Sequence, residues 1–158
     1  MAPTAKKKLS ASLEDYLEII GRLVHEGGVA RVRDIARELD VAMPSVTSAL
    51  KALSGRGLVN YSPYELVTLT GRGLALAEGV DRRHKILRRF LTEFLGLDAE
   101  SAEANACRME HSMDEAALDR LDSLARFLRQ SRTWGRTGEK KFAEFRKDRT
   151  RNSSGKSR

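Results

Sequence analysis

The chain reads as a mainly α protein, with an N-terminal winged helix-turn-helix followed by an all-helical second domain. Three observations predict this. Between residues 12 and 130 apolar side chains recur three and four apart, the period of helices that bury one face. Val32, Ile35, Ala36 and Leu39 mark a short helix, Asp40-Val41-Ala42-Met43 a turn and Pro44 the opening of a second helix, after which two β-rich runs follow. Farther on, Cys107, Glu110 and His111 stand at i, i+3 and i+4, so a helix there carries a thiol, a carboxylate and an imidazole on one face.

At 158 residues and 41% hydrophobic content, the chain can bury one ordinary core or two small ones. It has no run of about 18 apolar residues and no apolar N-terminal segment, so no membrane partner is expected and the expected compartment is the cytoplasm. One cysteine excludes an intramolecular disulfide framework and suits a reducing compartment. The net charge of +7 invites a nucleic-acid reading, but residues from Ser131 onward hold ten Lys or Arg against three Asp or Glu. That leaves 19 against 19 in residues 1–130, so net charge alone says little about a folded nucleic-acid surface.

Residues 1–11, with Lys6-Lys7-Lys8, read as a basic flexible arm. A winged helix-turn-helix is expected over residues 12–72. Leu13, Tyr16, Leu17, Ile20, Leu23 and Val24 define the apolar face of its first helix, and Asp15 and Glu18 fall on the opposite side. In the helix opened by Pro44, Val46, Ala49, Leu50 and Leu53 face inward and leave Ser45, Thr47, Ser48 and Lys51 outward. Short hydroxyls and a lysine suit phosphates and base edges in a major groove. Ser45, Thr47, Ser48 and Lys51 are therefore candidate DNA contacts, and Arg31, Arg33 and Pro44 join them as candidates; a winged helix used for protein contacts is the competing reading. Residues 58–61 and 66–69 read as the strands of the wing.

A helical domain is expected over residues 73–130. Thr70 can cap a helix running to about Leu95. A second helix from Ala99 carries Ala102, Ala106 and Met109, whose small members would admit another helix closely, including one from a second subunit. Ser112-Met113-Asp114-Glu115 matches a capping box for a third helix. Residues 131–158 read as a basic, disordered tail with isolated aromatics and one short helix around residues 140–147.

One turn before Cys107, Glu103 extends the polar line of the second helix. A single helix rarely closes a coordination sphere, so Asp15, Glu18 and His84 are the further candidate ligands. Plain alternatives stand beside each: a buried thiol, an exposed Glu110-His111 pair, solvated carboxylates, a hydrogen-bonded core histidine. Because Glu110 and His111 lie beside the apolar stripe, truncating them is expected to spare the core.

In this order, Asp15-Tyr16-Leu17-Glu18, Ala30-Arg31-Val32-Arg33-Asp34-Ile35-Ala36, Pro44-Ser45-Val46-Thr47, His84 and Glu110-His111 resemble the iron- and manganese-dependent repressors related to the diphtheria toxin repressor and the manganese transport regulator. The resemblance spans residues 10–130. It implies that the helical part is a metal-binding and dimerisation domain. It also implies metal ligation by Asp15, Glu18, His84, Glu110 and His111, as in the manganese-sensing members, and places Cys107 at the cysteine of the iron-sensing ones. Glu103 completes the candidate metal set, although it and Arg88 stand where the iron sensors' ancillary site has a histidine and an acid. The implied cofactor is iron(II) or manganese(II). The expected function is a metal-activated, DNA-binding transcriptional repressor controlling metal homeostasis, in which metal orders a homodimer on double-stranded operator DNA. A metal-independent regulator sensing oxidants through Cys107 is the alternative. A metalloenzyme is disfavoured, because no separate acid, base or nucleophile is apparent.

Overall fold

Helix α1 (Ala11–His25) starts where the Ser10 side chain accepts from the Leu13 amide, and Leu9 already packs on the core. The expected arm is therefore shorter than 1–11, and its Lys6-Lys7-Lys8 lies outside the described residues. This computed structural model describes residues 9–27, 29–63, 65–131 and 134–154, the side chains of 136 and 150–154 excepted. Helix α2 (Val32–Glu38) buries Ile35 and Ala36, and α3 (Met43–Gly55) buries Val46, Ala49, Leu50 and Leu53. Between them Asp40 adopts a left-handed conformation, φ 50°, which aspartate tolerates better than most residues and which turns the chain sharply. Pro44 sits in the first turn of α3, where its missing amide hydrogen breaks no helical bond.

Strands β1 (Val59–Asn60) and β2 (Thr68–Leu69) pair antiparallel, with Val59 opposite Leu69, and Val67 bridges Ala30. The pairing is shorter than the four-residue runs expected, and the Val67 amide donates to the Ala30 carbonyl at 2.8 Å rather than to the first strand. Leu17 and Ile20 of α1 meet Ile35, Val46, Leu50 and Leu53 in one fully buried cluster. Thr70 ends the wing: its amide donates to the Leu58 carbonyl at 3.0 Å and its hydroxyl accepts from the Gly73 amide at 3.1 Å. Gly73 is required there, because a Cβ at that position would overlap the Leu58 carbonyl oxygen.

Helix α4 (Gly71–Glu93) carries the division of the chain into two compact units, Met1–Arg82 and Arg83–Arg158. In the second unit, Leu87 and Leu91 pack with Ala102 and Ala106 of α5 (Ala99–Glu110) and Leu118 of α6 (Glu115–Gln130). Ala102 and Ala106, expected to admit another helix closely, are fully buried against α4 and α6 of this same unit. Asp98 caps α5 and Asp114 caps α6, accepting from the Ser101 and Ala117 amides at 2.8 and 2.7 Å. The α6 cap thus lies two residues beyond the Ser112 of the expected capping box.

The expected disordered tail is also corrected, because α7 (Gly135–Ser154) occupies most of it. The aromatics that look isolated in sequence are joined: Trp134 packs between Phe94 and Phe142, with ring centroids 5.6 and 6.0 Å apart. Arg146 Nη1 then donates to the Leu95 carbonyl at 2.8 Å, tying α7 to the end of α4. Among the described residues, no helix is long and apolar enough to cross a membrane.

Candidate metal centre

Glu110 is the last residue of α5 and is only 1% exposed. Its Oε2 lies 2.8 Å from His84 Nδ1, a contact between α5 and α4 that the 3.6-residue repeat of either helix cannot reveal. Its Oε1 lies 3.2 Å from His111 Nε2 yet makes no hydrogen bond among the described residues. Leaving a buried acceptor unsatisfied costs about 1–3 kcal/mol, more when it is charged. A buried carboxylate with one oxygen uncompensated, flanked by two imidazoles, therefore fits a bound cation. The expectation that truncating Glu110 spares the core is corrected: it is wholly buried and holds His84.

His84 lies across the ring from a second carboxylate, with Nε2 3.0 Å from Glu103 Oε1. Glu103 Oε2 in turn accepts from Arg88 Nη1 at 3.3 Å. The hydrogen bond to Glu110, opposed by burial and reinforced by Glu103, raises the His84 pKa from 6.5 to about 9. At neutral pH the ring is thus an imidazolium held between two carboxylates, and any metal taking its nitrogen must displace that proton.

The structure brings together His84, Glu103, Glu110 and His111 in the second unit. Cys107 is exposed on α5, three residues before Glu110, and in no disulfide. Asp15 and Glu18 belong to the first unit, where both are half-buried on α1. Burial and the nearby Asp15 charge raise the pKa of Tyr16, its neighbour in that helix. The sequence reading missed the bond from Arg88 to Glu103. Its signal was available, since Arg88 follows His84 by one helical turn and Glu103 is the acid of the facing stripe.

On α3, Pro44, Ser45, Ser48 and Lys51 are exposed and Thr47 is half-buried, while Val46, Ala49, Leu50 and Leu53 anchor the helix from below. The Thr47 and Ser48 hydroxyls donate to the Met43 and Pro44 carbonyls at 3.2 and 3.0 Å, which leaves their oxygens outward as acceptors. Arg31 and Arg33 are exposed at the start of α2, with Arg33 Nε 3.8 Å from Asp34 Oδ1.

A family model of the N-terminal DNA binding domain of iron dependent repressors matches residues 8–67, and one of their metal binding and dimerisation domain matches residues 70–134. An uncharacterized HTH-type transcriptional regulator of Methanocaldococcus jannaschii is 39% identical over 114 residues, 72% of this chain and 91% of its own length. The transcriptional regulator MntR of Escherichia coli O157:H7 is 40% identical over 107 residues, 68% of each chain. The solved structure of the manganese regulator SloR superposes with a TM-score of 0.66 at 29% identity, covering 73% of this chain and 54% of that one, so this chain spans about half of it. With both family models matched in order and the histidines and acids of α4 and α5 assembled around Glu110, the chain belongs to the iron-dependent repressor family.

Proposed function

We propose that this protein is a metal-activated, DNA-binding transcriptional repressor, a homodimer acting in the cytoplasm, whose iron(II) or manganese(II) is held by Asp15, Glu18, His84, Cys107, Glu110 and His111. The observation that carries the reading is the buried Glu110 carboxylate, set between His84 and His111 with one oxygen unbonded among the described residues. When bound, the metal supplies positive charge beside the carboxylates of this donor set in place of the His84 proton. Carboxylates and imidazoles suit manganese(II) and iron(II), and a thiolate from Cys107 biases the set toward iron and later metals. His84, Cys107, Glu110 and His111 hold the second unit's share of the donors, Asp15 and Glu18 the first unit's. A cation shared by both sets restricts how the helix-turn-helix moves, so α3 presents Ser45, Ser48 and Lys51 to a major groove in fewer arrangements. The protein is read as a regulator with no catalytic role.

The test is selection of bound fragments from genomic DNA under reducing conditions, with and without manganese(II) or iron(II). Wild-type protein should enrich operator fragments only with metal, and Glu110→Gln and His111→Ala should lose that enrichment while keeping wild-type helical content. Enrichment that ignores metal and responds to peroxide only when Cys107 is present would replace this reading with the oxidant-sensing one.

A further inference from the structure

Glu103 and Arg88 stand outside the ligand set proposed above, yet both are bonded to it in series. Glu103 Oε1 lies 3.0 Å from His84 Nε2 and its Oε2 accepts from Arg88 Nη1 at 3.3 Å, while His84 Nδ1 lies 2.8 Å from Glu110 Oε2. The two nitrogens of an imidazole lie at different edges of the ring, and only the one without a hydrogen can offer a lone pair to a metal. A carboxylate fixed against one nitrogen keeps the hydrogen there and leaves the other as the donor atom; histidine ligands are commonly oriented in this way.

The exposure of the three side chains explains why two residues are needed. His84 is 11% exposed, whereas Glu103 is 53% and Arg88 59% exposed. A glutamate so open to solvent would sample several rotamers, and the guanidinium on its second oxygen restrains it to the one that meets His84. The frame beneath is closely packed: Leu87 of α4 and Ala102 of α5, the sequence neighbours of Arg88 and Glu103, are fully buried in one cluster.

We propose that Glu103 and Arg88 are positioning residues: Glu103 orients His84 so that Nδ1 faces Glu110 and the metal, Arg88 holds Glu103 in place, and neither touches the metal. This rests on the metal-centre reading above. It moves Glu103 from the candidate ligands to the groups that aim one.

The test is titration of the full chain with manganese(II) under reducing conditions, followed by the electron paramagnetic resonance signal of the free ion. It is paired with nitrogen-15 spectra of the histidine rings in the zinc-loaded protein. Glu103→Ala should weaken affinity about ten- to a hundredfold, the usual range for losing an outer partner of a ligand. Glu103→Gln should retain most of the affinity, because its amide oxygen still accepts from Nε2–H. Arg88→Ala should cost less than Glu103→Ala, and the double variant should be no weaker than Glu103→Ala alone, since Arg88 acts through Glu103. In the spectra, the hydrogen of His84 should sit on Nε2 in wild type and Glu103→Gln, and be divided between the nitrogens in Glu103→Ala. Equal losses in Glu103→Gln and Glu103→Ala would make Glu103 a ligand and overturn the proposal, as would metal on Nε2. Glu110→Gln separates the two levels of the argument. If it loses affinity while Glu103→Ala does not, the positioning role alone fails; if neither loses affinity, the metal centre fails and the positioning role with it.

Discussion

His84 shows what a single residue gains from its surroundings. In the unfolded chain it titrates near 6.5, and between Glu110 and Glu103 it holds its proton to about pH 9. A group whose pKa rises on folding stabilises the fold fully below its unfolded value, and that contribution is lost as pH rises through the folded one. Denaturant unfolding of metal-free protein should therefore show stability falling between pH 6.5 and 9, and His84→Gln should remove that component. Wild-type stability that stays flat across this window would reject the imidazolium bridge. Metal competes with the same proton, so metal affinity should rise with pH over the same range. Cys107 is the second residue with a chemical consequence, because it is exposed and its sulfur is the soft donor of the proposed set. Cys107→Glu should shift the order of activation from iron toward manganese, and an unchanged order of the two metals in an operator-binding titration would exclude Cys107 as a ligand.

At the scale of elements, the junction of wing and α4 fits closely at Gly73. The Leu58 carbonyl accepts from the Thr70 amide at 3.0 Å and so cannot withdraw from a side chain placed at Gly73. Gly73→Ala should cost about 1–3 kcal/mol of stability, the usual range for overpacking, although alanine is the better helix former. A denaturation midpoint equal to wild type would disprove that constraint. The helices of residues 11–130 were legible from apolar spacing; α3 buries all four residues that the spacing selects, α1 buries Tyr16, Leu17 and Ile20 and α2 buries Ile35 and Ala36, while Val24 of α1 is exposed. Helix α7 was not. Its sequence is polar and rich in charge, and what holds it is the tilted packing of Trp134 against Phe94 and the bond from Arg146 to Leu95, across 40 and 51 residues of chain.

For the whole molecule, the proposed ligands are divided between the two units, Asp15 and Glu18 in one and His84, Cys107, Glu110 and His111 in the other. If metal works by joining them, Asp15→Ala with Glu18→Ala should weaken operator binding although neither residue is proposed to touch DNA. Two recognition helices of a dimer must match successive major-groove faces, roughly 34 Å apart, and apparent affinity falls with the fraction of molecules that hold that spacing. Spin labels on the two α3 helices should give a narrow distance distribution with metal and a broad one without it. Equally narrow distributions in both states would rule out ordering by metal.

The sequence by itself determined the helices between residues 11 and 130, where the helix-turn-helix lies, and which acids, histidines and thiol share a helical face. Those properties are local: they follow from spacing over one or two turns and from the backbone habits of Pro44 and Asp40. Only the tertiary structure decided that Glu110 is buried rather than exposed, that His84 bridges two carboxylates, that Ala102 and Ala106 fill this unit's own core, and that the tail is helical. Each of these depends on a partner on another element. Period and composition rank the faces of a helix, but they do not say which neighbour will cover each face.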